Sequence, residues 1–197
     1  MIAAILDSEY RIALEQPIDN EVELVRSVAT GDRNAFERLF HLYHPRIYKF
    51  SIRMLQDHSS AEEVASDTMY AVWGSASRFR EQSAVSSWIL GIAYRRSLKS
   101  YSKSARHTEN REPVSELEAL VEGAPDANPE THTNNAMKLS QMQKALSTLS
   151  RDHRAVMELI ALGYSVSEIA SIVGCPENTV KTRTFHARRQ LKIALQE

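Results

Sequence analysis

The chain has 197 residues, with 24 Lys+Arg against 25 Asp+Glu, 43% hydrophobic and 25% charged. That composition excludes a disordered chain, the single cysteine (Cys175) excludes a disulfide scaffold or an all-cysteine zinc site, and no apolar run approaches the roughly 20 residues of a membrane span. The N-terminus, MIAAILDSEY, lacks the basic leader of a signal peptide, so a cytoplasmic protein with no membrane insertion is expected.

Helical spacing dominates and no stretch alternates as a strand, so the expected fold class is all-α. Residues 1–20 form an acidic extension with Asp7, Glu9, Glu15 and Asp19 against Arg11 alone. Residues 21–30 predict a short amphipathic helix (Val22, Val25, Val28) stopped by Gly31-Asp32. From 34 to 54, Phe36, Leu39, Phe40, Tyr43, Ile47, Phe50 and Met54 recur at helical spacing, and Pro45 predicts a kink or a split. Ser60-Ala61-Glu62-Glu63 has the capping-box pattern and is expected to open the next helix, whose apolar face is Ala61, Val64, Ala65, Thr68 and Val72. A loop over 74–83 leads to a helix marked by Val85, Trp88, Ile89, Ile92 and Ala93, running to about Lys103.

Residues 107–134 are rich in Glu, Pro, Asn, Thr and Gly and read as a flexible acidic linker. Fully extended, about 25 residues reach about 80 Å. Beyond it, Met137, Met142, Leu146, Leu149, Val156, Leu159, Ile160, Ile169, Ala170 and Val173 supply the core of a second small helical domain, 135–197. The expected architecture is therefore two small helical domains, 21–106 and 135–197, joined by the linker.

Inside the second domain, Ser165-Val166-Ser167-Glu168 is another capping box, and Gly174-Cys175-Pro176 breaks the short helix it opens. A new helix starts near Glu177, which makes a helix-turn-helix of the DNA-binding type. On a helical wheel Val180, Thr184, Ala187, Leu191 and Ala194 share one face. The opposite side carries Asn178, Thr182, Phe185, His186 and Arg189, flanked by Lys181, Arg188 and Lys192 and by Arg183. Such groups address base edges and phosphates. Cys175 reads as a small turn residue.

The charge is segregated. Residues 74–108 hold Arg78, Arg80, Arg95, Arg96, Lys99, Lys103 and Arg106 against Glu81 alone, and residues 179–192 hold five cations and no acid. The acids gather in the N-terminal extension, in 57–73 and in the linker. Two basic blocks separated by acidic ones predict two polyanion-binding surfaces. On the 61–75 helix, Glu63, Ser66, Asp67 and Tyr70, flanked by Trp73, make an acidic face with aromatics, suited to protein docking. After it, Arg78, Phe79, Arg80, Trp88, Arg95, Arg96 and Lys99 interleave aromatics with cations, as single-stranded DNA requires.

AEEVASDTMYAVWGSASRFR, SSWILGIAYRRSLKSY, a linker, and LSRDHRAVMELIALGYSVSEIASIVGCPENTVKTRTFHARRQL together resemble an extracytoplasmic-function (ECF) sigma factor of bacterial RNA polymerase, over about residues 22–104 and 137–195. The resemblance implies core RNA polymerase as a partner, docked through its largest-subunit clamp helices on Glu63, Ser66, Asp67, Tyr70 and Trp73. It implies promoter DNA as the second partner. Arg78, Phe79, Arg80, Ser83, Ser86, Ser87 and Trp88 would capture an unstacked base of the −10 element, with Arg95, Arg96 and Lys99 holding the melted strand. The last helix would read the −35 element, with Lys181, Thr182, Phe185 and His186 on the family's reading positions beside Asn178, Arg183, Arg188 and Arg189. An anti-sigma factor is implied as regulator, and the linker would thread the polymerase channel. His186 stands where the family often has Arg, and the acidic extension and unusually acidic linker are departures.

Glu37, His41 and His44 share a helix face but lack a second cluster to complete a metal site, so no metal or cofactor is expected. No triad, phosphate loop or paired-carboxylate pattern points to an enzyme. The competing readings are a sigma-mimicking adaptor that sequesters an anti-sigma factor and a simple helix-turn-helix repressor.

Overall fold

The computed structural model describes residues 20–107, 145–146 and 148–195. The expected acidic extension, the linker and the packing of Met137 and Met142 fall outside these residues, apart from Asn20 and His107 at their edges. The described residues form seven α-helices: α1 Glu21–Ala29, α2 Arg33–Leu55, α3 His58–Ser75, α4 Val85–His107, α5 Arg151–Ala161, α6 Val166–Val173 and α7 Glu177–Ala194. A 3-10 turn, Ala76–Arg78, follows α3. No strand occurs among them, and the all-α expectation holds.

The helix ends follow from local chemistry. After α1 the chain reverses at Gly31, φ +91°, where glycine meets no steric penalty. Asp32 then caps α2, its carboxylate accepting from the backbone N–H of Asn34 (2.8 Å) and Ala35 (3.2 Å). Pro45 does not split α2, which runs unbroken for 23 residues. Proline removes one backbone hydrogen bond, but Tyr43 and Ile47 on either side are 1% and 0% exposed and clamp both halves to the same core. The next helix opens earlier than the Ser60 pattern implies. Asp57 is the cap, its carboxylate accepting from the Ser60 N–H at 2.6 Å, so Ser60 lies within the first turn. The loop expected to begin at Gly74 is also shorter, because α3 continues to Ser75.

In the C-terminal part the Ser165 box forms as read. Ser165 Oγ accepts from Glu168 N at 3.3 Å, and Glu168 Oε2 accepts from Ser165 N at 2.8 Å. Gly174, φ +69°, ends α6 in the left-handed region, and α7 starts after Pro176.

One contiguous apolar cluster runs through the structure. It joins Leu39, Tyr43, Ile47 and Phe50 of α2, Ala65, Met69 and Val72 of α3, and Ile89 and Ala93 of α4 to Val156 and Leu159 of α5, Ile169 and Ile172 of α6 and Val180 of α7. Each large buried side chain contributes about 1.5–3 kcal/mol of transfer free energy. Polar links reinforce the junction. Arg53 Nη1 donates to Glu158 Oε2 at 2.8 Å, and the Glu158 side chain is only 5% exposed. Buried Arg154 donates to the carbonyl of Leu146 (3.1 Å) and, from α5 to α2, to that of Met54 (3.3 Å). Gly91 on α4 brings the backbones close, since a Cβ there would sit 3.6 Å from the Ile172 carbonyl oxygen.

Removing one partner of a buried ion pair costs about 3–5 kcal/mol. Arg53 keeps 27% exposure and can turn to water, so Glu158→Ala is expected to cost less, about 2 kcal/mol. Urea unfolding should show a lower midpoint with an unchanged slope. Ser165→Ala should cost about 1 kcal/mol through the lost cap, measured the same way.

Candidate nucleic-acid interface

Helix α7 is held by one face. Val180 and Ala187 are fully buried, and Thr184, Leu191 and Ala194 are half-buried. On the other side Asn178, Lys181, Thr182, Phe185, His186, Arg188 and Arg189 are all exposed. Phe185 is 64% exposed, a large apolar ring left in water, and its ring meets His186 edge-on at 5.5 Å. Arg183 stands apart from this group. It is half-buried, and its Nη2 donates to Asp152 Oδ2 on α5, while the second oxygen of Asp152 accepts from the Tyr94 hydroxyl of α4 at 3.4 Å.

The loop between α3 and α4 shapes a second site. The rings of Phe79 and Trp88 lie 4.9 Å apart, tilted by 36°. With Arg78, Arg80, Gln82 and Ser83 they line an open cleft of about 200 Å³. Gln82 belongs to this lining although its residue type gave no signal in the sequence. Arg95 and Lys99 are exposed further along α4. Ser86 is half-buried and Ser87 is 2% exposed, so Ser87 faces the core rather than the cleft. It shares a side of α4 with buried Leu90 and Tyr94, three and seven residues on, and that side is covered. The loop is tied down by Arg26 of α1, whose Nε and Nη2 donate to the two carboxylate oxygens of Glu81 at 2.9 and 2.8 Å. The fork raises the pKa of Arg26 and lowers that of Glu81, chiefly through the hydrogen bonds and then through the paired charges.

On α3, Glu63, Ser66, Asp67 and Tyr70 are exposed, Tyr70 at 77%. Trp73 is half-buried with its ring edge-on to Phe36 at 5.0 Å. Asp67 accepts from Arg96 Nη1 at 2.8 Å, so the acidic face of α3 and the basic side of α4 are in direct contact. Wheels of single helices do not show that junction. Among the described residues, no group of three or more His, Cys, Asp or Glu could hold a metal ion. His44 stacks on Phe40 at 4.6 Å and faces Glu62. No helix among them is long and apolar enough to cross a membrane.

Residues 39–107 match the sigma-70 region 2 family, and residues 139–191 match sigma-70 region 4. The ECF RNA polymerase sigma factor SigM of Mycobacterium tuberculosis is 28% identical over 177 residues, covering 87% of this chain and 83% of that protein. The chain is a sigma-70-family factor of the ECF type. The RNA polymerase sigma-H factor of Pseudomonas aeruginosa is 26% identical to this sigma factor over 183 residues, covering 90% of the one and 95% of the other. Its fold is shared with the sigma factor RpoE of Bartonella quintana, solved in complex with the anti-sigma factor NepR (TM-score 0.66, 26% identity, 82% of this chain and 96% of that one). The family consists of transcription initiation factors rather than enzymes.

Burial, and then the Asp152 charge, push the phenol of Tyr94 above its usual value, and burial does the same to Tyr43. A phenol that ionises later in the folded sigma factor than in the unfolded chain lends stability that is intact below about pH 10 and is lost as the pH rises further. Urea titrations from neutral pH to above about pH 10 should show this alkaline loss, shallower in Tyr94→Phe.

Proposed function

We propose that this chain carries core RNA polymerase to promoters bearing −35 and −10 elements, with α7 in the major groove of the −35 element and the Phe79–Trp88 cleft receiving an unstacked base of the −10 element. One observation carries the reading: a single chain presents both a helix face of exposed reading residues and an aromatic cleft lined by arginines. Duplex reading and single-strand capture need these two different surfaces. Lys181, Thr182, Phe185 and His186 would face base edges, and Arg188 and Arg189 phosphates. Phe79 and Trp88 would stack the captured base while Arg78, Arg80, Arg95 and Lys99 neutralise the strand. Glu63, Ser66, Asp67, Tyr70 and Trp73 would meet the clamp helices of the largest polymerase subunit.

The two modules, 21–106 and 135–197, would work apart. The −35 and −10 positions are separated by about 85 Å of B-form DNA at about 3.4 Å per base pair. Arg53 and Glu158 are 2.8 Å apart, and a compact body of this size is only about 40 Å across. The packed arrangement therefore suits the unbound factor, and the modules would separate on a promoter, with the linker of about 80 Å bridging them. The likeness to a sigma factor solved with its anti-sigma factor supports such a regulator here, and the partner polymerase supports a cytoplasmic location.

Run-off transcription with core polymerase, with and without this protein, on genomic fragments tests the reading. Discrete new start sites are expected. Absence of transcripts with retention of an anti-sigma factor would favour an adaptor, and tight specific DNA binding without core a repressor. Lys181→Ala should weaken promoter binding and relax base preference within the −35 element, and Arg189→Ala should weaken binding across sequences and flatten its salt dependence by about one unit of slope. Asp67→Arg should lower retention on immobilised core enzyme about tenfold.

A further inference from the structure

Glu81 has a left-handed backbone, φ +57°. That region is uncommon for residues with a Cβ and comfortable for glycine. Its neighbours on both sides, Arg80 and Gln82, line the cleft together with Phe79, Ser83 and Trp88. The backbone at residue 81 therefore sets the directions in which Arg80 and Gln82 leave the chain. The contact its side chain makes spans 55 residues of sequence: Arg26 closes a planar fork on both oxygens of Glu81, at 2.9 and 2.8 Å. Arg26 is itself steadied by Glu23, one turn earlier on α1, at 3.1 Å. An exposed ion pair of ordinary geometry contributes little, but a two-bond guanidinium–carboxylate fork also fixes orientation.

We propose that Arg26 and Glu81 are positioning residues for strand capture: the fork holds residue 81 left-handed, and that conformation aims Arg80 and Gln82 at the captured strand. The inference rests on the reading of the cleft as the −10 site. It assigns α1 a role in promoter melting although none of its residues line the cleft. It also makes a distinctive demand. If the fork serves to hold a left-handed residue, it becomes dispensable once that residue is glycine.

A double-mutant cycle on the full chain tests this at two levels. In the free protein, hydrogen exchange over residues 79–84 should rise in Arg26→Ala. It should not rise further when Arg26→Ala is added to Glu81→Gly. In holoenzyme assembled with core polymerase, permanganate reactivity of unpaired thymines reports open complex, and gel shift at low temperature reports closed complex. Arg26→Ala should slow open-complex formation about tenfold with closed-complex affinity unchanged. Glu81→Ala should behave alike, Glu81→Gly should stay near wild type, and Arg26→Ala should have no effect in the Glu81→Gly background. Equal damage from Arg26→Ala in both backgrounds, or unchanged exchange and melting in Arg26→Ala alone, overturns the proposal. Wild-type holoenzyme that opens no promoter overturns the cleft reading first, and the positioning role with it. Unchanged loop exchange in the free protein overturns the positioning role alone.

Discussion

Helix α4 has to satisfy several neighbours at once, and the rest of the structure is arranged around that constraint. Val85, Ile89 and Ala93 go into the core shared with α2 and α3. Gly91 meets the backbone end of α6. What is left of the circumference carries Trp88, Arg95, Arg96 and Lys99. A helix that buries more than one face has a narrow polar strip, so its cations lie close to whatever packs beside it. Arg96 duly ends on Asp67 of α3. Crowding on one helix thus brings the basic side of α4 against the proposed polymerase-docking face of α3.

The near-neutral charge of the chain is therefore local as well as global. Arg26 is held by Glu81, Arg96 by Asp67 and Arg183 by Asp152. Lys181, Arg188, Arg189, Arg95 and Lys99 remain exposed. The held cations fix geometry, because a guanidinium on a carboxylate has a preferred plane. The exposed ones are the groups available to displace counterions from a phosphate backbone. Under the proposed function this divides the basic residues into those that shape the protein and those that meet the nucleic acid.

Features written in a few consecutive residues were legible in the sequence. The Ser165–Glu168 box, the Gly174 stop and the two sides of α7 all depend on neighbours within one or two turns. Pro45 did not split its helix because its local cost is outweighed by Tyr43 and Ile47, whose burial comes from other helices. Ser60 was misleading because Asp57, three residues earlier, caps the helix by accepting from the Ser60 N–H, which puts Ser60 inside the first turn. Ser87 was assigned to a surface by resemblance, whereas its face is fixed by how α4 docks. The Arg26–Glu81 fork and the Arg53–Glu158 pair were out of reach, since partners 55 and 105 residues apart leave no periodic trace. Gln82 gave no signal because an amide in a polar loop looks like any other. Family resemblance supplied the functional frame, and the long-range pairs came only from the fold.

Cys175 is the sole sulfhydryl of the chain, half-buried in the turn between α6 and α7 and packed against the common core near Tyr94. It therefore sits at the seam between α4 and the C-terminal helices without any engineering. Under the proposed function, a single native thiol at such a seam is a built-in reporter: it is part-covered while the seam is closed, and its reaction with a maleimide quickens when the seam parts, in an otherwise unaltered protein.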